Sequence, residues 1–200
     1  MGEDLNVGDG RYYNPDVEAR SLLEAGLVAD QREANGWAWQ HGLDRLRAAI
    51  DNGTHFTFET TLAGSTICSE LRRAGELANH EIVIWYVGLA SVEDNIRRVR
   101  ERTLRGGHDI PEEAIRRRFT QSPINLVGLM DVLMHLYVFD NTESAAVDSL
   151  GGTDAAPLEV LRVVDRTIER VLSIDDCPEW AQPIRSAAHA MFDGGPAAVS

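Results

Sequence analysis

The chain has 200 residues, 44% apolar and 26% charged, a make-up that fits one folded domain with at most a small appendage and excludes a disordered or fibrous chain. Its 19 basic residues face 32 acidic ones, a net charge of −13, which excludes long-range attraction to nucleic acid or an anionic membrane, so any bound anion must be held locally. All 19 are arginine, and Schiff-base, lysine-base and phosphate-loop-lysine chemistry is therefore excluded within these residues.

Residues 1–10 read as a short lead. They carry Glu3, Asp4 and Asp9 without an apolar run, which is not the design of a secretory leader. No stretch reaches the ~18 apolar residues of a membrane span, so the expected location is cytoplasmic. Residues 11–14 predict a short strand, followed by a helix opened by Asn14-Pro15-Asp16. Steps of three and four between Trp39, Leu43, Leu46 and Ile50 predict a helix over 34–51, ended by Asn52-Gly53. In 54–60 Phe56 and Phe58 alternate with His55, Thr57 and Glu59, the pattern of a half-polar strand. A helix over 65–77 leads to EIVIWYVGLA at 81–90, which reads as a strand covered on both faces of a parallel sheet. Trp37, Trp39, Trp85 and Tyr86 are expected in the core. Helices over 92–104, 111–119 and 125–135 precede a second buried strand at 136–140, and 157–174 predicts a C-terminal helix. The sum is an α/β fold with a mostly parallel sheet flanked by helices. Ligands in such sheets bind beyond the carboxyl ends of the strands, where Asn14-Pro15-Asp16, Glu59-Thr60-Thr61 and Asp140-Asn141 stand. Cys68 and Cys177 have neither metal-ligand nor CxxC spacing and read as free thiols.

Eight arginines fall within 97–118, where an arginine-rich helix meets Gly106-Gly107 and a second such helix opened by Pro111. One reading is a lid that closes on phosphates, since guanidinium groups clamp phosphate oxygens in pairs and a glycine pair permits motion. The other is a solvated surface whose arginines pair with Glu93, Asp94, Glu101, Glu112 and Glu113. Asp16 suits either a general base or a helix N-cap. Glu59, a carboxylate ending an otherwise apolar strand, suits the binding of sugar hydroxyls or magnesium, and Asp140-Asn141 suits a turn or an adenine contact. No Ser/His/Asp triad, metal-ligand spacing or GxGxxG is present.

Five segments in order, Tyr12-Tyr13-Asn14-Pro15-Asp16, Phe58-Glu59-Thr60-Thr61-Leu62, Arg105-Gly106-Gly107-His108-Asp109-Ile110-Pro111 with Arg116-Arg117-Arg118, Asn125-Leu126, and Val138-Phe139-Asp140-Asn141, resemble the zeta-toxin-like P-loop kinases over residues 10–183. The resemblance implies a kinase core over 11–142 with the lid at 97–118, then a helical extension and tail over 143–200. It implies ATP-dependent phosphorylation, with Mg2+, of a small hydroxylated substrate like UDP-N-acetylglucosamine, and an antitoxin protein as a candidate partner. Asp16 matches the general base, and Arg105, Arg117 and Arg118 match catalytic lid residues. Asn14, Glu59, Thr60 and His108 match the substrate side, and Asp140 and Asn141 the nucleotide side. The family opens with a strand followed by GxxxxGK[ST], and neither is in this sequence. The expectation is a chain lacking about the first ~30 residues of the family pattern, roughly one strand, loop and half-helix. In the family that strand lies inside the sheet, so its absence would leave unpaired backbone edges and an exposed apolar slot. The alternatives are a degenerate, non-catalytic module that binds a nucleotide or nucleotide sugar, and an interaction domain without a ligand.

Overall fold

The computed structural model describes residues 12–77, 80–105, 107, 109–143 and 156–193. Two compact units make up the chain, Met1–Thr61 and Leu62–Ser200.

In the first unit, strand β1 (Tyr12–Tyr13) runs parallel to β2 (Thr57–Phe58), with Tyr12 opposite Thr57 and Tyr13 opposite Phe58. Helices α1 (Pro15–Glu24) and α2 (Gln31–Asn52) form the crossover between them. Small residues let the two helices approach: Ala19, Ala34 and Ala38 are fully buried, with Leu23 and Val28 against them. Asp30 caps α2 by accepting from the Glu33 N–H at 2.8 Å, and Glu33 in return accepts from Ala29 N–H at 2.8 Å, the reciprocal logic of a capping box. Gly53, at φ 64°, ends α2 in the left-handed conformation that only glycine adopts without penalty. Tyr13 anchors β1 to α2. Its ring is buried, its hydroxyl donates to the Ala38 carbonyl, and the Arg45 guanidinium lies over both Tyr13 and Phe56.

The second unit holds a four-stranded sheet in the order β3 (Val83–Gly88), β4 (His135–Asp140), β5 (Leu158–Val164), β6 (Thr167–Val171). Its helices are α3 (Ser65–Glu76), α4 (Val92–Leu104), α5 (Glu112–Leu129) and α6 (Gln182–Phe192), with 3-10 turns at Met130–Val132 and Glu179–Ala181. Leu136 and Val138 of β4 and Leu161 and Val163 of β5 are buried in its core, as are Leu126, Met130, Leu133 and Ile184.

The chain is α/β, as expected, but this sheet is mixed rather than mostly parallel. β3 and β4 are parallel, whereas β4–β5 and β5–β6 are antiparallel. The predicted helix over 157–174 is in fact the β5–β6 hairpin. Val160, Val163, Val164, Thr167, Ile168 and Val171 are β-branched and fit a pleated surface better than a helix. The two-residue turn Asp165-Arg166 has φ of 48° and 60°, the backbone of a tight hairpin. An arginine at positive φ costs about 1–2 kcal/mol. Arg166 offsets this by donating through its guanidinium to the carbonyls of Asp131 (2.8 Å) and Leu133 (3.1 Å) and through its N–H to Met134 O (3.0 Å).

The two helices expected over 111–119 and 125–135 are one helix, α5, which continues through Pro123. Ile115, Ser122, Leu126 and Leu129 form one buried stripe along it, and this packing outweighs the lost backbone bond. The tryptophans also differ from expectation. Trp37, Trp39 and Trp85 are 60%, 48% and 50% exposed, while Tyr86 is partly buried against Trp180. Among the described residues β3 ends the sheet and is not covered on both faces: Val83 and Val87 are exposed beside Trp85, whose ring lies against Tyr137 and Phe139 of β4. Both cysteines are free. Among the described residues no helix is long and apolar enough to cross a membrane.

Two glycines of α2 test the packing of the first unit. A Cβ at Gly42 would lie 2.5 Å from Tyr13 Cε1, whereas one at Gly36 would meet nothing within 4 Å. Gly36→Ala is expected to stabilise by about 0.5–1 kcal/mol through helix propensity. Gly42→Ala should instead destabilise by about 1–2 kcal/mol, because overpacking outweighs the same gain. Thermal unfolding followed by circular dichroism checks both signs.

Candidate functional site

The parallel register of β1 and β2 sets the residues that follow them side by side. The Glu59 N–H donates to Tyr13 O at 3.0 Å, extending the ladder by one step. Asn14 Nδ2 then donates to Glu59 Oε2 at 2.7 Å, and the Tyr12 hydroxyl donates to Glu59 Oε1. Asn14 is also the N-cap of α1, its Oδ1 accepting from the N–H groups of Asp16 (2.9 Å) and Val17 (3.2 Å). With the amide oxygen committed to the helix, only the amide nitrogen is left to face Glu59. The result is an exposed carboxylate with a donor on each oxygen.

Asn14 and Glu59, both expected at the substrate side, are thus in direct contact. Asp16 lies exposed in the first turn of α1, where the helix dipole favours its charge, and Asn14 takes the capping role that Asp16 could have filled. Thr60 follows on the exposed surface. Tyr12, which sequence motifs did not single out as a candidate, joins this contact. The signal was present, since Tyr12 and Asn14 are two residues apart and project to the same side of an extended chain.

In the second unit, two ion pairs tie α4 to α5: Arg100 to Glu112 at 3.4 Å and Arg116 to Glu93 at 3.1 Å. Arg116 also meets Glu112 at 2.7 Å, and Arg97 meets Asp94 at 2.8 Å and Glu101 at 3.6 Å. The Ser91 hydroxyl and Arg97 together hold the Asp94 carboxyl below its usual range. The solvated-surface reading therefore describes Arg97, Arg100 and Arg116. Arg105 and Arg117 are exposed, and among the described residues their guanidinium groups have no ion pair or hydrogen bond. Arg118 is half-buried. His108 lies outside the described residues.

Asn125, one of the motif residues, donates through Nδ2 to Leu62 O at 2.8 Å. Leu62 is buried at φ 53°, a strained conformation for leucine, and this bond helps to hold it. Asp140 closes a turn: its Oδ1 accepts from the Thr142 N–H at 2.9 Å and from the Thr142 hydroxyl. Asn141 Oδ1 is buried and has no partner among the described residues.

The phosphates of ATP and their Mg2+ do not fit the residues present. The sequence has no glycine phosphate loop and no lysine, and among the described residues no group of three or more His, Cys, Asp or Glu is placed to hold a metal ion.

Burial and the Glu59 bond push Tyr12 up to about 12, and burial with the nearby Glu18 charge pushes Tyr13 up to about 12. Unfolded tyrosines ionise near 10, so stability is intact below that pH and falls as the pH rises from 10 towards 12. Glu59→Gln should lower the Tyr12 midpoint part of the way to 10 and leave Tyr13 in place. Spectrophotometric titration, with Tyr12→Phe for assignment, reads both; an unmoved Tyr12 would mean that its hydroxyl has another partner.

A scan against protein families gives no match to this chain, and a search of solved structures gives none either. Over 115 residues the chain is 32% identical to a protein of Haemophilus influenzae described as "Uncharacterized protein", across 54% of this chain and 81% of that one. Identity at that level over most of the relative's length shows common descent, and the chain belongs to the same family as this Haemophilus influenzae protein.

Proposed function

We propose that the chain carries the acceptor side and the arginine lid of a zeta-toxin-type phosphotransferase, with a small hydroxylated substrate such as UDP-N-acetylglucosamine. The observation that carries this reading is the Glu59 carboxylate, oriented by Tyr12 and Asn14 at the carboxyl ends of two parallel strands. A carboxylate has about four lone-pair sites, and two of them stay open to ligand hydroxyls. Asp16, in the turn that Asn14 caps, is the base for the proton of the acceptor hydroxyl. Arg105 and Arg117 are the lid residues best suited to phosphate oxygens, since Arg97, Arg100 and Arg116 are held by carboxylates. The open edge of β3, with Val83, Trp85 and Val87 exposed, supports a sheet that takes one more strand there. A kinase of this type needs a phosphate loop from outside these 200 residues. A second reading, a binding module that transfers nothing, is favoured by the total absence of lysine.

Titration calorimetry with UDP-N-acetylglucosamine tests the acceptor site on the chain itself. Binding is expected, and Glu59→Gln should weaken it about 10–100-fold, the worth of a hydrogen bond to a charged group. No heat at millimolar ligand would remove the acceptor assignment. In a form that carries a phosphate loop ahead of residue 1, ATP-dependent phosphate incorporation should fall about 10²–10⁴-fold in Asp16→Asn. Sugar binding without any transfer in that form would favour the binding module, and full activity in Asp16→Asn would withdraw the base role.

A further inference from the structure

We propose that Tyr12 is a positioning residue for Glu59, and that the pair makes this end of the site selective for hydroxyl donors over phosphate. The inference rests on the acceptor reading above. Tyr12 and Tyr13 are neighbours on a strand and project to opposite faces. Tyr13 is buried and structural, whereas Tyr12 is only partly buried and places its hydroxyl on Glu59 Oε1. Asn14 holds Oε2 at 2.7 Å, and the bonds from Asp16 and Val17 to its oxygen fix which way its amide faces. Both Glu59 oxygens are thus engaged from the β1 side, and one rotamer of an exposed glutamate is selected out of several. The open lone pairs accept and cannot donate. A ligand meeting them must bring donors, which sugar hydroxyls supply and a phosphate dianion does not. Tyr12 acts through Glu59 without touching the ligand, so its effect should vanish when Glu59 is changed.

Two readouts on the full 200-residue chain separate the positioning role from the acceptor reading. Three-bond NMR couplings of the Glu59 side chain in the free protein should report one rotamer in the unsubstituted chain and averaging in Tyr12→Phe, which keeps the ring and removes only the hydroxyl. Calorimetry should show N-acetylglucosamine and UDP-N-acetylglucosamine binding weakened several-fold to about tenfold by Tyr12→Phe, UDP binding unchanged, and no further loss when Tyr12→Phe is added to Glu59→Gln. Single-rotamer couplings retained in Tyr12→Phe overturn the inference whether or not a ligand binds. Equal weakening of UDP and the sugar overturns the hydroxyl selectivity. Averaged couplings in Tyr12→Phe with no sugar binding by the unsubstituted chain support the positioning role and sink the acceptor reading.

Discussion

The first unit depends on a register only two residues long. Tyr12 opposite Thr57 and Tyr13 opposite Phe58 is the pairing that sends one tyrosine into the alanine-lined helix pair and the other to the polar side. A slip of one residue would exchange the two, turning Tyr13 out to solvent and its neighbour into the space beside Gly42. So short a ladder cannot hold its own register by backbone bonds. Tyr13 holds it through its fit against Gly42, its hydroxyl bond to Ala38 O and the Arg45 guanidinium over its ring. The packing on one face of β1 thereby decides the chemistry displayed on the other. Asn14 carries the consequence into α1, since one amide both caps the helix and donates to Glu59. Removing its side chain would cost the cap about 1 kcal/mol and free the Oε2 oxygen of Glu59 at the same time.

The second unit uses its polar groups differently. The α4–α5 pairs join exposed side chains, and each such pair contributes only about 0.2–1 kcal/mol, so they set the helices' relation more than they stabilise the fold. The firmer ties bond side chains to backbone carbonyls. Asn125 on Leu62, Arg166 on Asp131 and Leu133, and Arg72 on Gly128 are bonds of this kind. Arg72 also grips both oxygens of Asp131 and keeps that carboxyl below its usual range. Arginine's planar fork allows such double duty where lysine's ammonium would not, which gives the all-arginine composition a structural side as well as a chemical one.

What the sequence made legible follows from how local each signal is. Helix α2, with its apolar period and Gly53 stop, could be read within its own residues, though it starts at Gln31 after its Asp30 cap and not at residue 34, and so could α4. The β5–β6 segment could not, because Leu158, Leu161 and Ile168 also satisfy a helical spacing. The decision lay with the pairing of Leu136 and Val138 to Val163 and Leu161, far away in sequence. The break expected between the helices over 111–119 and 125–135 failed for the same reason, the buried stripe of α5 outweighing the local penalty of Pro123. At the site, the residue types Asn14, Asp16 and Glu59 were visible, but the Asn14–Glu59 contact depends on a parallel crossover that no local pattern encodes. Tyr12 was hidden by its neighbour, because two adjacent tyrosines read as one apolar strand until the faces are told apart.

Strand β3 shows a conflict between composition and position. Val83, Ile84, Trp85, Tyr86 and Val87 carry no charge, no proline and no bulge, the devices by which natural edge strands avoid pairing with other chains. Runs of this kind belong to strands covered on both faces. In this unit β3 ends the sheet, and its outward-facing residues keep roughly half their surface in water. On β5 and β6 Arg162 and Arg170 both pair with Glu159, in the ordinary manner of a solvated surface. The exposed apolar side chains are Val83, Trp85 and Val87 of β3 and Leu158 of β5, with Tyr137 and Phe139 partly exposed between them. A general shortage of polar residues would spread over the sheet. Here the exposure gathers on one face of β3, at one end of the sheet, where a run suited to burial meets solvent among the described residues.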